Sequence, residues 1–198
     1  MTVQPTTDRG RATREQILEA ASELFYRQGV TATGLDQIVA ASGTGKGQLY
    51  HYFGGKRDLT HAVIERQVAS IMADQQPRLD ALATRADLHA WADALMDSYA
   101  GADHPLRCPI GALAVELAEN DPEARDALER GFGRWSEALA AGLARLHDHG
   151  ELAASADPRR LATALLSAYQ GGLLLAQVRG ELSPLRDALD VALRGCGA

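Results

Sequence analysis

The sequence predicts an all-α protein of about nine helices, and three observations support this fold class. Extended alternating runs rich in Val, Ile and Thr are absent, whereas Ala, Leu, Glu and Arg, which favour helices, dominate the 198 residues. Apolar residues recur at helical spacing along the chain. Glycines, Asp-Pro pairs and a Ser-Pro pair stand where the helices are expected to end or begin.

The first three predicted helices are separated by glycines. Thr13 and Gln16 form a capping-box pattern, which predicts that the first helix has Thr13 as its N-cap. Gly29 is expected to end this helix. The next two helices are expected to span about 34–43 and 44–52.

A long fourth helix is expected to begin at about Lys56 and to end or kink near Pro77. We place the domain boundary inside this helix, which gives an N-terminal domain of residues 1–57 and a C-terminal domain of residues 58–198. The two domains are therefore joined through the fourth helix rather than through a flexible linker. The C-terminal domain is expected to be a helical bundle, with further helices at about 87–99, 109–119, 121–147, 157–180 and from residue 183 onwards.

The charge of the chain is unevenly distributed. The formal net charge is −6, but residues 1–60 carry seven Lys and Arg against six Asp and Glu. Residues 61–198 carry thirteen against twenty. An acidic protein does not coat its whole surface with nucleic acid, yet one local basic patch is enough for binding. Both lysines of the chain, Lys46 and Lys56, lie in the less acidic first segment.

The stretch SGTGKGQLYHYF, residues 42–53, surrounds one lysine with three glycines and so suggests phosphate binding. A nucleotide-binding P-loop requires glycine at position 40 and a hydroxyl residue at position 47. The chain has Ala40 and Gly47 instead, and the preceding LDQIVAAS has the pattern of an amphipathic helix rather than a buried strand. The sequence therefore argues against a nucleotide-binding loop.

The same stretch fits the second helix of a helix-turn-helix motif. A short helix, a turn at Gly43 and a second helix anchored by Leu49 have the lengths that this motif requires. Because Gly45 and Gly47 lack side chains, the backbone there could approach DNA closely. The alternative is that these glycines only loosen the start of the helix.

Residues 13–59 resemble the N-terminal DNA-binding domain of TetR/AcrR-type repressors. The family signature K-G-x-L-Y-x-x-F-x-x-K is present, beginning at Lys46 and ending at Lys56. The chain departs from the family at Gly34, where a larger residue is usual, and at Gly45, where serine is frequent. The resemblance implies an all-helical homodimer. Three N-terminal helices would form a helix-turn-helix domain that binds operator DNA, and the C-terminal helices would bind a small inducer and form the dimer.

The resemblance also implies which residues contact DNA. Gln48 is expected to read a base, since its amide can pair bidentately with adenine. The backbone of Gly47 and the ring of Tyr50 are expected at base edges or thymine methyl groups. Packing on the first helix is the alternative for Tyr50, and simple solvent exposure is the alternative for His51. The other expected DNA contacts, which position the protein on the phosphates, are Thr33, Thr44, Gly45, Lys46, His51, Tyr52 and Lys56.

Residues beyond 60 show no pattern of an active site. The histidines are scattered, and neither Cys108 nor Cys196 has a partner at metal-ligand spacing. No serine lies in a G-x-S-x-G setting. We therefore expect no catalytic residues, no metal and no cofactor, and a protein that is not an enzyme.

The C-terminal helices have the composition of an apolar pocket with a few polar groups. The segment CPIGALAVEL, residues 108–117, resembles a stretch that borders the ligand cavity in a subset of these repressors. The alternative for each aromatic residue is an ordinary core position. Candidate pocket residues are Trp91, Tyr99, Cys108, Ile110, Leu113, Glu116, Phe132, Trp135, Tyr169 and Gln170.

The predicted helix 159–180 is apolar on more than one side and, with the last helix, is similar to the dimerising pair of the family. A helix buried within one subunit is the alternative, and a membrane span is disfavoured by the polar residues within 161–178. Candidate dimer-interface residues are Ala164, Ala168, Gly171, Gly172, Leu175, Leu185 and Leu189.

These patterns together predict a ligand-responsive DNA-binding regulator, in the first place a repressor released from a palindromic operator by a small, largely apolar inducer. Two alternatives remain: a helix-turn-helix dimer without an inducer, and an enzyme that uses the C-terminal cavity. The expected partners are double-stranded operator DNA, the inducer and a second copy of the chain, without a membrane. The sequence begins with no secretory signal and carries two cysteines, which favours the cytoplasm.

Overall fold

The computed structural model describes residues 5–101 and 105–195, and every regular element within these residues is an α-helix. This confirms the all-α prediction. The helices are α1 (Asp8–Gln28), α2 (Leu35–Ser42), α3 (Lys46–Phe53), α4 (Lys56–Asp80), α5 (Arg85–Asp97), α6 (Pro109–Leu117), α7 (Pro122–Asp148), α8 (Pro158–Arg179) and α9 (Ser183–Arg194).

By packing, the chain divides into two compact units, each of which combines two separate segments of the chain. The N-terminal unit consists of residues 1–70 and 109–131, and the C-terminal unit of residues 71–108 and 132–198. The N-terminal unit therefore contains α1–α3, most of α4, all of α6 and the first part of α7. Both α4 and α7 pass from one unit into the other.

The start of α1 differs from the prediction. Thr7, not Thr13, is the N-cap, and its hydroxyl accepts a hydrogen bond from the Gly10 amide at 3.1 Å. The Thr13 hydroxyl instead donates to the carbonyl of Arg9 within the helix. Asp8 in the first turn further favours the earlier start, because a negative charge stabilises the N-terminal end of a helix.

The helix α4 continues past Pro77 and ends three residues later, at Asp80. The carbonyl of Pro77 accepts a hydrogen bond from the Ala81 amide, so the last turn is closed despite the proline. In the C-terminal unit, the Arg145 guanidinium donates to the carbonyls of Leu79 at 2.6 Å and Asp80 at 3.1 Å. A cation at these free carbonyls stabilises the end of the helix.

The most extensive helix pair of the C-terminal unit is α8 with α9. Leu165, Leu173 and Ala176 on α8, and Leu185 and Leu189 on α9, are buried. By length and composition alone α8 could cross a membrane, and 39% of its apolar stretch is buried within the chain. One such helix is weak evidence of a span, because core helices have the same properties.

Candidate nucleic-acid interface

The helix α3 is anchored by one face and presents the other to solvent. Leu49 and Phe53 are fully buried in the N-terminal unit. Lys46, Gly47 and Gln48 at the first turn are all exposed. The N-terminal end of α3 therefore offers free amides, a cation and an amide side chain on one surface, which is the arrangement that DNA phosphates and base edges require.

Tyr50 and His51 lie on the same exposed side of α3. The Tyr50 side chain is 46% exposed, which does not support the alternative that it is packed on α1. His51 is exposed and contacts Tyr52 edge-on, with ring centroids 4.9 Å apart. Both side chains are available to a ligand that approaches α3.

Gln48 has a local role that the sequence analysis did not anticipate. Its Oε1 atom accepts a hydrogen bond from the Gly45 amide at 2.8 Å and so caps its own helix. Gln37 does the same for the Gly34 amide at the start of α2, also at 2.8 Å. The signal was present in the sequence as two G-x-x-Q stretches, in which glutamine occupies the third helical position of a capping box. Base readout by Gln48 would therefore use its Nε2 donor or require this cap to open.

Lys46 is paired with an acidic residue on α2. Its Nζ atom lies 2.9 Å from a carboxylate oxygen of Asp36, and both side chains are exposed. The hydrogen bond that Lys46 donates to Asp36, and then the negative charge of Asp36, raise the pKa of Lys46. Asp36 therefore competes with any phosphate for the charge of Lys46.

Two expected phosphate contacts are contradicted by burial. The Thr33 side chain is fully buried, and its hydroxyl donates to the Gly29 carbonyl at 2.7 Å while accepting from Gln28 Nε2 at 3.1 Å. Tyr52 is buried as well, with its ring edge-on to Phe53. Both side chains are held in the core because they lie on the faces of their segments that pack inward, so we remove them from the proposed DNA surface.

The remaining two predicted contacts lie at the edges of this surface. The Thr44 hydroxyl pairs with the Ser42 hydroxyl at 2.8 Å across the turn between α2 and α3. Lys56, at the first residue of α4, places its Nζ atom 3.5 Å from the Thr31 carbonyl. Both side chains are half-buried.

The predicted pocket residues are divided between the two units. Ile110, Leu113 and Glu116 belong to α6 in the N-terminal unit, whereas the others lie in the C-terminal unit. Leu113 lines a cavity of only about 10 Å³ together with residues of α1 and α4. The Glu116 carboxylate accepts hydrogen bonds from the backbone amides of Val30, at 2.8 Å, and Thr31. Both oxygens of Glu116 therefore bind the turn after α1, a role that the sequence did not predict.

An aromatic cluster occupies the C-terminal unit. The hydroxyls of Tyr99 and Tyr169 are 2.8 Å apart, and the Trp135 ring stands edge-on to Tyr169 with a centroid distance of 5.5 Å. Trp135 Nε1 and Gln170 Nε2 are shielded from solvent and have no hydrogen-bond partner among the residues that the structure describes. By contrast, Trp91 Nε1 donates to Gln75 Oε1 at 2.8 Å and is an ordinary core group. Cys108 is buried and Phe132 is half-buried in the same unit.

The predicted dimer residues face two directions. Gly172, Leu185 and Leu189 are buried where α8 packs on α9 within the chain, so their assignment to an intermolecular surface is wrong. The other four predicted residues, Ala164, Ala168, Gly171 and Leu175, are exposed or half-buried, and their spacing of four, three and four residues places them on one side of α8. We call the following five residues the α8 stripe: Ala164, Ala168, Gly171, Leu175 and Val178. Val178 was missed in the sequence analysis, although it continues this spacing.

Within residues 5–101 and 105–195, no group of three or more His, Cys, Asp and Glu side chains is placed to hold a metal ion. The expectation for Cys196 lies outside the described residues.

Comparison with known families decides the affiliation of the chain. Residues 17–63 match the family of bacterial regulatory proteins, tetR family, and residues 83–191 match the C-terminal domain of LmrA/YxaF-like transcriptional regulators. The second match alone covers more than half of the chain.

The chain belongs to the TetR family of transcriptional regulators.

Similar proteins agree with this assignment along nearly the whole length of the chain. An uncharacterized HTH-type transcriptional regulator of Lactococcus lactis, encoded in the lacX 3' region, is 32% identical, and the match covers 91% of each chain. The HTH-type transcriptional repressor NemR of Escherichia coli is 24% identical over 89% of this chain and 90% of its own. A crystal structure of the regulatory protein TetR from Rhodobacter sphaeroides has a TM-score of 0.82 and 26% identity, covering 92% of this chain and 98% of that chain.

The matched residues 17–63 of this TetR-family chain include α2 and α3, which form the helix-turn-helix with the exposed end of α3. DNA binding in transcription regulation is thereby established at the level of the family, as is the action of its members as dimers. The relatives are transcriptional regulators, and none of those compared above is named as an enzyme.

Proposed function

We propose that this TetR-family protein is a repressor that leaves a palindromic operator when a small, largely apolar molecule binds to its C-terminal unit. The observation that carries the proposal is the exposed N-terminal end of α3, where Lys46, Gly47 and Gln48 surround the free amides of the helix. The name of the similar NemR, a transcriptional repressor, supports the sign of regulation. The protein acts on DNA in the cytoplasm and not as an enzyme.

In this proposal some residues in and around α3 bind DNA phosphates and others contact bases. Lys46 and Lys56 bind phosphates, with the Thr44 hydroxyl at the edge of the surface. Gln48 reads a base through its amide, and Tyr50 and the backbone of Gly47 lie against base edges. To bind a phosphate, Lys46 must give up its contact with Asp36. The high density of negative charge along DNA favours this exchange.

Two recognition helices are needed for a palindromic operator, so the active species is a dimer. The α8 stripe supports this interface, because it leaves Leu175 and Val178 exposed on the folded chain. Ala164, Ala168 and Gly171 are small enough for a close approach of a second helix. A symmetric pairing of two α8 helices would cover this apolar surface.

The aromatic cluster of the C-terminal unit supports the proposal that the inducer is largely apolar. Tyr99, Trp135 and Tyr169 provide an apolar, aromatic surface, while Trp135 Nε1 and Gln170 Nε2 are donors that lack an acceptor within the described residues. An inducer with an aromatic or aliphatic body and an acceptor oxygen would satisfy such a donor. Shielded polar groups are normally paired, which is why these two donors favour ligand binding over a plain core.

Footprinting on the DNA that flanks the gene, at several salt concentrations, tests the DNA-binding surface with three variants. Lys46→Ala should weaken binding to all sequences and lower the salt slope by about one, since one phosphate contact is lost. Asp36→Asn should strengthen binding to all sequences severalfold, because it frees Lys46 from its competitor. Gln48→Ala should relax the preference at one base pair and cost about 1–3 kcal/mol of binding free energy.

Gln48→Glu is the matched control for the local role of Gln48. A glutamate retains an oxygen that can accept from the Gly45 amide, so the thermal stability of α3 should be preserved while DNA binding is lost. If Lys46→Ala and Gln48→Ala both bound the footprinted site as tightly as the native protein, the assignment of α3 as the recognition helix would be wrong.

Release by the inducer is tested by linkage. A compound that displaces the protein from its footprint should bind the DNA-free protein about 5–150-fold more tightly than the operator complex, because the two ligands weaken each other equally. Isothermal titration with and without the operator duplex measures both affinities. Equal affinities would contradict the repressor switch and favour a helix-turn-helix dimer whose C-terminal unit serves assembly alone.

A further inference from the structure

The helix α6 directs a carboxylate onto the turn that precedes the helix-turn-helix. The Val30 amide donates to Glu116 Oε2 at 2.8 Å, and the Thr31 amide donates to Oε1. These partners are 86 and 85 residues from Glu116 in the chain. Each oxygen of one carboxylate is thus occupied by a separate backbone amide of the same turn.

The two amides need an acceptor because α1 has already ended. Gly29 leaves the helix at a φ of +88°, and its amide makes the last hydrogen bond, to the Phe25 carbonyl. Val30 is buried, so its amide would be costly to leave without a partner. Gly29 also permits the approach of Glu116, since a Cβ atom there would stand 3.2 Å from Oε2.

The surroundings keep the Glu116 carboxylate ionised. Burial acts to raise its pKa, but the hydrogen bonds from Thr31 and Val30 and the charge of Lys56 outweigh burial, so the pKa is lowered. Lys56, the first residue of α4, also donates to the Thr31 carbonyl at 3.5 Å. The turn after α1 is therefore held between an anion on α6 and a cation on α4.

A second contact attaches the same segment to the start of α4. Asp121, which follows α6, accepts hydrogen bonds from Arg57 Nε and Nη2, both at 3.2 Å, and lies 3.1 Å from His61 Nε2. Asp121 also accepts from the amides of Glu123 and Ala124 and so caps α7. Residues 116–121 are consequently held at two points, the turn after α1 and the start of α4.

We propose that Glu116 is a positioning residue for DNA binding, whose carboxylate fixes the turn between α1 and α2 so that α2 and α3 meet the operator in one orientation. The proposal rests on the DNA-binding function stated above. Glu116 does not touch DNA in this scheme. It acts through Val30 and Thr31, from which α2 begins four to five residues later. The helix α6 is thereby a fourth element of the DNA-binding domain rather than a wall of the inducer pocket.

The test compares Glu116→Gln with Glu119→Gln in the full-length protein. Glu119 is exposed just beyond the end of α6, so its substitution removes the same charge without touching the turn. The probe is a duplex that the native protein enriches from a random-sequence library, together with an unrelated duplex of equal length. Fluorescence anisotropy gives both affinities, and circular dichroism gives the folded fraction at the assay temperature.

We expect Glu116→Gln to raise the Kd for the enriched duplex roughly 10-fold, because the neutral amide satisfies one of the two backbone donors at most. The Kd for the unrelated duplex and the salt slope should stay unchanged, since no phosphate contact is lost. In nitrogen–proton NMR spectra the amide signals of Val30 and Thr31 should shift. Glu119→Gln should bind both duplexes like the native protein.

Three results would overturn the inference. The first is that Glu116→Gln binds the enriched duplex as tightly as the native protein. The second is that it loses affinity for both duplexes in proportion to its unfolded fraction, which would reveal a role in stability alone. Should Glu116→Gln be unfolded at the assay temperature, Glu116→Asp is measured, and native affinity of this shortened side chain would equally contradict positioning. If the native protein enriched no duplex at all, the proposed DNA-binding function would itself be wrong. This result is distinct from the other three, because it is obtained with the native protein and not with a Glu116 variant.

Discussion

Leu175→Glu combined with Val178→Glu should convert the dimer into a monomer and lower operator affinity by roughly 100-fold or more. These side chains are 51% and 77% exposed in the chain, so the folded monomer can accept charge at both positions. In a two-fold symmetric pairing of the α8 stripe, the four introduced carboxylates would face one another. A monomer retains only one recognition helix, so it loses the additional affinity that a dimer gains by binding two half-sites at once.

Sedimentation equilibrium measures the oligomeric state of this double variant, and anisotropy with the enriched duplex measures its affinity. The control is Val115→Glu, which introduces one carboxylate at an apolar position that is 87% exposed but lies on α6, away from the α8 stripe. The control should stay dimeric. A double variant that stays dimeric with a native melting temperature would show that the α8 stripe is not the interface.

Gly172→Val should destabilise the C-terminal unit by about 3 kcal/mol or more in the free energy of unfolding. A Cβ atom at Gly172 would stand 2.8 Å from Leu185 Cα and 3.3 Å from Ala188 Cβ. The first of these is a backbone atom, so relief requires α9 to move away from α8. Replacing a helical glycine otherwise gains up to about 1 kcal/mol, which is too little to offset this overlap.

Urea unfolding followed by circular dichroism measures the effect, with Gly133→Ala as the control. Gly133 is also helical and in the C-terminal unit, but an added Cβ atom there meets nothing within 4 Å. Gly133→Ala should therefore leave the stability unchanged or raise it by up to about 1 kcal/mol. Equal stabilities of Gly172→Val and the native protein would contradict the close packing of α8 on α9.

Most helix positions could be predicted because their signals are local. Gly29 and Gly43 end α1 and α2 with positive φ angles, which glycine adopts without strain, and proline or aspartate marks the starts of α7 and α8. The prediction of Thr13 as the N-cap was wrong because Thr7, six residues earlier, is an equally good cap and is followed by residues that are compatible with a helix. The end of α4 lies three residues beyond the predicted position at Pro77, where Arg145, distant in sequence, binds the carbonyls of Leu79 and Asp80.

The candidate site was predictable in part for the same reason. The exposed residues of α3 lie opposite Leu49 and Phe53, so helical periodicity was sufficient to place Lys46, Gly47 and Gln48 on one surface. The burial of Thr33 was not predictable, because a hydroxyl between two helices suits a phosphate contact and a turn equally well. The turn brings the Gly29 carbonyl within hydrogen-bond distance of the Thr33 hydroxyl, and this contact places Thr33 in the turn rather than at a phosphate.

The amino-acid sequence alone determined the helical fold, the helix-turn-helix and its family, because propensity, capping and helical periodicity act over a few residues. The tertiary structure decided which way neighbouring residues face, as with Gly171 on the outside of α8 and Gly172 against α9. It also decided the role of Glu116, whose partners lie 85 and 86 residues away. A local pattern shows that a side chain is polar or apolar, but its partner across such a distance is fixed only when the whole chain packs.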